Sequence, residues 1–395
     1  MKPCLTHSQY PSSEGRTATL VAYSIFFFTG SAMMLPGALL PLLAKQWHMA
    51  DGAAGVFFLC FSVGSSGGSL LAKGKLSHSI AAGCALIALG AVLLGTNVVA
   101  GTLLLVIAVY GCGLGLAMTS ISLLQSRRWP QHRIAELARL NLTWALGAGV
   151  GPAILLRTAV RFGTTAVLHG VGTVFVFSAI VALLAVPAIR QTDASGGQVH
   201  PVTRWLHSLR AIPLVLLCLI PLATGVESGV SSWLSSFMMR GGYVLGVTIS
   251  ATTAFGVGLI VSRLFHSRRK AAASQLLILH LHPALMVAGI VLLIVSHSAA
   301  LSVVAAFLTG VGVGPMYPLV LALLLNHNEA GNAGFVAGGV GASILPMITG
   351  AISGWTHSLR TGLSVLLAAS VVILVLGVRL SRSGQGDPAV LEVSG

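Results

Sequence analysis

Glu227 is the side chain with the clearest capacity for chemistry, an acid near the centre of the long apolar run 211–238. A carboxylate inside a membrane span is costly unless paired, protonated or hydrated, so its position there demands a reason. In a low-dielectric cavity such a group can take up a proton from one side and release it to the other. The structural alternative is a protonated glutamate hydrogen-bonded to backbone at a broken helix. Thr224, three residues before it, and Ser231, four after, fall on the same helical face and would complete a polar stripe. The other acids fall at ends, loops or tails. Glu136 opens the fifth apolar run, Asp51 precedes the second as an expected N-cap, and Glu14, Asp193, Asp387 and Glu392 occupy tails or a linker.

The elements that must position Glu227 follow from composition. Charged residues are 8% of the chain and apolar residues 55%, where a soluble domain carries about a quarter charged. Runs of about 20 apolar residues predict twelve spans, at 17–43, 53–72, 80–96, 100–125, 135–156, 165–189, 211–238, 244–264, 275–295, 299–325, 333–354 and 361–379. Thr96 and Asn97 mark the weakest boundary. No ten-residue alternation suggests a barrel, so the spans are expected to be helices.

The net charge of +14 raises nucleic acid as a partner, but its distribution argues against it. Of the 22 basic residues, 17 fall in the N terminus, the C terminus or loops on the side of the N terminus, leaving Lys45, Arg157, Arg161, Arg240 and Arg360 opposite. The positive-inside rule then places both termini in the cytoplasm and favours an even number of spans in the inner membrane. The basic cluster Arg268-Arg269-Lys270 is expected to meet anionic lipid heads. Residues 1–16 carry no apolar core with a cleavage site, so the first helix is expected to act as the targeting signal. The five cysteines, Cys4, Cys60, Cys84, Cys112 and Cys218, lack metal-ligand spacing and read as reduced packing residues.

Arg190 to Arg210 contains the longest polar interruption, and its Gln-Thr-Asp-Ala-Ser-Gly-Gly stretch suits a linker. The expected domains are a first six-helix bundle at 1–189, a cytoplasmic linker at 190–210, and a second bundle with its tail at 211–395. A repeat supports this division. Gly111-Cys-Gly113-Leu-Gly115 returns 199 residues later as Gly310-Val-Gly312-Val-Gly314, and Gly147-Ala-Gly149-Val-Gly151-Pro152 returns loosely as Gly338-Gly339-Val-Gly341 with Pro346. Lys73 and Lys75 have a counterpart in Arg268, Arg269 and Lys270. Duplicated halves are a mark of secondary transporters, in which a midplane site opens alternately to each side. Small residues at spacing four let helices approach closely, and Pro36, Pro41, Pro152, Pro221, Pro315, Pro318 and Pro346 mark expected bends.

These motifs resemble the major facilitator superfamily, and within it the fucose-permease-like group of proton-coupled sugar symporters. Gly225-Val226-Glu227 followed by Trp233 resembles that group's seventh helix, Gly310 to Pro318 its tenth, Gly338 to Pro346 its eleventh, and Gly147 to Pro152 the superfamily's fifth. The chain departs from the pattern twice. The loop Leu71 to His78 lacks the acid of the superfamily signature, and the first and fourth spans lack the embedded acids of the fucose-permease group.

The resemblance implies a cavity lined by helices one, four, seven and ten. There the chain offers Tyr23, Tyr110, Ser120, Thr224, Ser231, Thr309 and Tyr317 as candidate solute contacts. Neutral hydroxyls and aromatic faces suit a sugar or polyol, although helix hydroxyls also bond their own preceding carbonyls. Trp233 lies about 120° round the helix from Glu227 and serves packing or contact. Asn141, Thr143 and Trp144 form a polar aromatic patch on helix five. Gly147, Gly151, Pro152, Pro315 and Pro346 are expected at helix contacts or gates, with Arg263 pairing a helix C terminus in a cytoplasmic gate. His280 and His282, two apart, point to different faces and read as packing residues rather than metal ligands.

No GxxxxGK[ST], G-x-S-x-G or H-E-x-x-H sequence occurs, so no ATP coupling, nucleophile or zinc motif is recognised. The expectation is an all-α membrane protein, monomeric and without cofactor, that moves a small neutral polar solute with a proton. The alternatives are an exporter of amphipathic compounds and a non-transporting membrane sensor.

Overall fold

Apolar runs of this length become helices because no backbone group can go unpaired in hydrocarbon. The computed structural model describes residues 13–72, 75–96, 100–129, 133–185, 214–267, 271–320 and 331–384. The expected linker 190–210, both extreme tails, Lys73 and the cluster 268–270 lie outside the described residues. The helices are α1 Ser13–Gln46, α2 Asp51–Leu70, α3 Leu76–Gly95, α4 Ala100–Arg128, α5 Arg133–Phe162, α6 Thr164–Ala185, α7 Leu214–Arg240, α8 Leu245–Ser267, α9 Ala271–Val295, α10 Ala299–Val313, α11 Gly331–Thr356 and α12 Leu359–Gly384. Twelve spans among the described residues are long and apolar enough to cross a membrane.

The packing repeats with a step of six helices. In the first half α1 packs on α5 and α6, α2 on α4, and α3 on α4 and α6. In the second half α7 packs on α11 and α12, α8 on α10, and α9 on α10 and α12. The halves meet through α1 against α7, α2 against α11 and α5 against α8, the pairing a pseudo-twofold axis requires. This is an all-α membrane protein of two pseudo-symmetric six-helix bundles.

The repeated glycine triplets explain why these packings match. On a helix, residues i and i+4 share a face while i+2 points away. A Cβ on Gly111 or Gly115 would run into the α2 backbone at Phe61 or Ser65, whereas one on Gly113 would come within 2.6 Å of the Gly83 carbonyl of α3. In the second half Gly310 and Gly314 press on α8 at Phe255 and Leu259, and Gly312 on α9, 2.6 Å from Met286 N.

The tenth segment differs from the continuous span expected at 299–325. Regular helix stops at Val313, with a turn at Gly314 and Pro315 before the chain resumes helix through Val320. Proline has no N–H and leaves the carbonyl four residues back without its helical donor. Side chains from neighbouring helices fill that vacancy at four prolines. Tyr110 Oη donates to Ala32 O, freed by Pro36, at 2.8 Å; His282 Nδ1 donates to Val311 O, freed by Pro315, at 2.7 Å. Ser228 Oγ donates to Ala342 O, freed by Pro346, at 2.9 Å. Arg263 Nε donates to Gly314 O, freed by Pro318, at 2.8 Å.

Candidate functional site

The last of these bonds builds the site. Gly314 O fixes the Arg263 guanidinium from the α10 side and leaves Nη2 to face α7. It lies 2.9 Å and 3.1 Å from the two carboxylate oxygens of Glu227. The side chains are 22% and 16% exposed, so this ion pair is sheltered without being sealed from water. Arg263 Nη1 has no hydrogen-bond partner among the described residues. Tyr317, beyond the Gly314–Pro315 turn, is within electrostatic reach of both charges.

Arg263 also lines a narrow cleft between the halves, walled by Met34 and Ala38 of α1, Trp144, Ala148 and Pro152 of α5, Ser231, Leu234 and Ser235 of α7, and Thr252, Phe255 and Leu259 of α8. Two buried polar atoms of the lining residues have no hydrogen-bond partner among the described residues: Trp144 Nε1 and Ser235 Oγ, the latter on a fully buried residue. Ser231 Oγ donates to Ser228 O at 3.0 Å, and Thr252 Oγ1 donates to Ile249 O at 3.0 Å, leaving each hydroxyl oxygen able to accept.

Only some of the expected site residues meet at the cleft. Ser231 and Pro152 line the cleft with Arg263, and the Tyr317 ring lies against Gly338 of α11. Thr224 instead ties α7 to α11, donating to Gly338 O at 2.8 Å. Tyr110, Ser120 and Thr309 are fully buried in helix packing. Tyr23 donates to Glu136 Oε2 at 2.8 Å, and Asn141 lies exposed outside the cleft lining. Gly147 and Gly151 press α5 onto α1 at Phe27 and Ser31. Pro315 frees the carbonyl bonded to His282, while Pro346 O accepts the indole N–H of Trp233 at 3.0 Å. Trp233 is fully buried and packs its ring 5.7 Å from Phe58 of α2.

Asp51 requires a correction. Ala50, not Asp51, occupies the N-cap position of α2. The Asp51 carboxylate instead receives Arg240 of α7 through two bonds of 2.5 and 2.6 Å, and Ser353 Oγ of α11 at 2.6 Å. This closes the two halves together at the end where α2 begins. Among the described residues no salt bridge crosses between the halves at the opposite end. Glu136 is a second acid that position along the chain made look peripheral: it is 7% exposed and bonded to Arg139 and Tyr23. Sequence reasoning gave no sign of Ser235 as an orphaned polar group or of His266, whose Nε2 lies 2.7 Å from that of His282. Arg263, expected at a helix C terminus, does bond one, since Gly314 is the C-cap of α10; its pairing with Glu227 had no pointer in the sequence.

The sequence profile described as Major Facilitator Superfamily matches residues 22–344. The chain belongs to the major facilitator superfamily. Its helix order, its repeat and its inter-bundle cleft are thus those of a major facilitator transporter, a multi-pass membrane protein. No curated protein matches the chain with significance. Among solved structures, a bacterial homologue of the human lysosomal transporter Spinster, inward-facing and unoccupied, aligns with a TM-score of 0.68 at 13% identity over 94% of this chain and 99% of that one. The same homologue, inward-facing and occupied, gives 0.65 at 12% identity over 98% and 100%. The Escherichia coli fucose:proton symporter gives 0.60 at 17% identity over 91% and 98%. At these identities the likeness is one of fold.

Proposed function

We propose that this major facilitator transporter moves a small polar solute across the cytoplasmic membrane by alternating access, with Glu227 carrying a coupled proton. One observation supports this above the rest: the Glu227–Arg263 ion pair lies beside the cleft between the halves. Protonating Glu227 would cancel its hold on Arg263, so proton uptake would change the charge offered to the cleft. The sequence-based reading of a sugar or polyol draws support from the Ser231 and Thr252 hydroxyls and from the fold shared with the fucose:proton symporter. The basic asymmetry supports cytoplasmic termini and a cytoplasmic linker 190–210 joining the two bundles, 1–189 and 211–395. On that orientation the Asp51–Arg240 tie closes the outer face.

The test is solute-dependent proton movement. Proteoliposomes containing an entrapped pH dye should acidify when a transported solute is added outside; uptake of labelled solute without acidification would remove the proton from the reading. A second reading, export of amphipathic compounds, draws on Met34, Leu234, Phe255 and Leu259 in the cleft wall. Dye efflux from the same vesicles separates it.

A further inference from the structure

Resting on that transport reading, we infer that the solute carries a carboxylate as well as hydroxyls: a polyhydroxy acid of the sugar-acid type, bound through Arg263. Among the described residues Arg263 is the one charged residue lining the cleft, and it is cationic. Its fork is only partly used, since Nε is spent on Gly314 O and Nη2 on Glu227 while Nη1 has no partner among the described residues. A guanidinium offers parallel donors that match a carboxylate, in a bond stronger than one to a neutral oxygen. Around it the same lining supplies the buried Ser235 Oγ and Trp144 Nε1, both without partners among the described residues, and the accepting oxygens of Ser231 and Thr252. Buried polar groups left unpaired in a native fold are places where water or a ligand completes the bonding. A chain of hydroxyls ending in a carboxylate has complementary chemistry for each of them.

Charge accounting favours the acid over a neutral polyol. With Glu227 ionised, the pair is neutral overall. When Glu227 takes up a proton, Arg263 becomes an uncompensated cation in a sheltered cleft, a state that is costly unless an anion replaces the lost partner. A neutral sugar cannot replace it. A monocarboxylate can, and the loaded site, with neutral Glu227, cationic Arg263 and the ligand anion, again sums to zero. Proton and carboxylate therefore bind cooperatively, each favouring the other. The cycle carries one positive and one negative charge inward together and is electroneutral. A neutral polyol with one proton would carry a net positive charge.

The charged group bonded to Glu227 is Arg263 from α8, with Tyr317 beyond the α10 break. α8 also carries His266, which pairs with His282 of α9, and α12, packed on α7, carries Arg360, Arg379 and Arg382 towards its ends, Arg360 being bonded to Ile294 O. α11 contains no titratable side chain, and Tyr23 of α1 is engaged by Glu136. Glu227 is the acid whose protonation would release Arg263.

The test uses purified full-length protein with three probes, gluconate, galactonate and glucuronate, and sorbitol as the neutral control. At least one acid should bind about tenfold more tightly at pH 5.5 than at pH 7.5, and sorbitol at least tenfold more weakly than that acid at pH 5.5. Glu227→Gln, which permanently frees Arg263, should bind the acid at pH 7.5 as tightly as the native protein does at pH 5.5. Because that variant gains affinity, it cannot be explained by misfolding. Arg263→Gln, with its folded fraction checked by thermal unfolding, should lose the acid at both pH values. In proteoliposomes, uptake of the acid should follow an inward proton gradient and be insensitive to a potassium–valinomycin voltage. Failure of all three acids to bind, sorbitol binding as tightly as the acids, or identical acid affinity in Glu227→Gln and native protein at pH 7.5 would overturn the inference. Voltage-dependent, proton-coupled sorbitol accumulation would leave the transport reading standing and remove the carboxylate. Cooperative binding of proton and acid without flux would uphold the site and remove transport.

Discussion

Arg263 and Pro318 are linked through a single atom, the carbonyl oxygen of Gly314. Proline at 318 deprives that oxygen of its helical N–H, and Arg263 Nε takes the vacant place at 2.8 Å. The bond spans α8 and the tenth segment and leaves the rest of the guanidinium directed at Glu227 of α7. Three segments of the second half thereby hold one ion pair at the edge of the inter-bundle cleft.

The same proline logic makes a testable prediction in the first half. Tyr110→Phe removes the donor to Ala32 O, leaving a buried carbonyl unsatisfied, and should cost about 1 kcal/mol of stability in the membrane. In a Pro36→Ala background the restored N–H can serve Ala32, so the same change should be nearly neutral. Thermal unfolding of the four proteins in one detergent closes the cycle. Equal losses in both backgrounds would show that Tyr110 stabilises by something other than this bond.

The Asp51–Arg240 tie should hold the outer face shut. Arg240 is 43% exposed, so its pair is screened and contributes no more than about 1 kcal/mol, roughly fivefold in the population of the open form. Asp51→Asn or Arg240→Gln should therefore raise labelling of a cysteine at Leu234 by an impermeant external reagent by up to about fivefold, in a protein lacking native cysteines. The exchanged pair, Asp51→Arg with Arg240→Asp, should restore the native rate. Unchanged labelling in both single variants would mean that packing of α2 on α11, and not the ion pair, closes this end.

Close approach of α5 and α8 sets a third expectation. A Cβ on Gly256 would lie 2.6 Å from Gly149 Cα, a backbone atom, whereas one on Gly149 would meet the flexible end of Ile260 at 3.0 Å. Gly256→Ala should depress transport with the protein still folded, because the halves can no longer meet there, while Gly149→Ala should be tolerated. The ratio of flux to folded protein in the two variants decides it, and equal behaviour would dissociate this contact from the cycle.

What the sequence revealed and what it hid follow from how far each constraint reaches. The glycine triplets were readable because positions i, i+2 and i+4 on one helix already specify which face meets which neighbour. Their counterparts 199 residues on then carry the same packing into the second half. Glu227 was conspicuous because an acid within an apolar run is expensive. Its partner was not, since Arg263 is 36 residues away on another helix, and Asp51 and Arg240 are 189 apart. A local rule made Asp51 look like a cap; a tertiary contact claimed its carboxylate. Tyr110, Ser120 and Thr309 are polar residues on the expected helices, but helical spacing does not say which polar residues face the cleft and which face a neighbouring helix.

Topology can be checked independently of any solute. A cysteine at Ser195, within the expected cytoplasmic linker, should resist an impermeant reagent applied to intact cells and react after permeabilisation; labelling from outside would invert the orientation and place the Asp51 tie on the inner face.

The central claim is that Glu227 carries the coupled proton, and one substitution addresses it most directly. Glu227→Gln preserves shape and hydrogen-bonding capacity but cannot release a proton in the physiological range. In proteoliposomes loaded with transported solute, the variant should retain exchange of labelled for unlabelled solute while its accumulation driven by a proton gradient falls to the equilibrium level. Accumulation at the native level with the proton dependence intact would contradict the account and leave Glu227 a structural partner of Arg263.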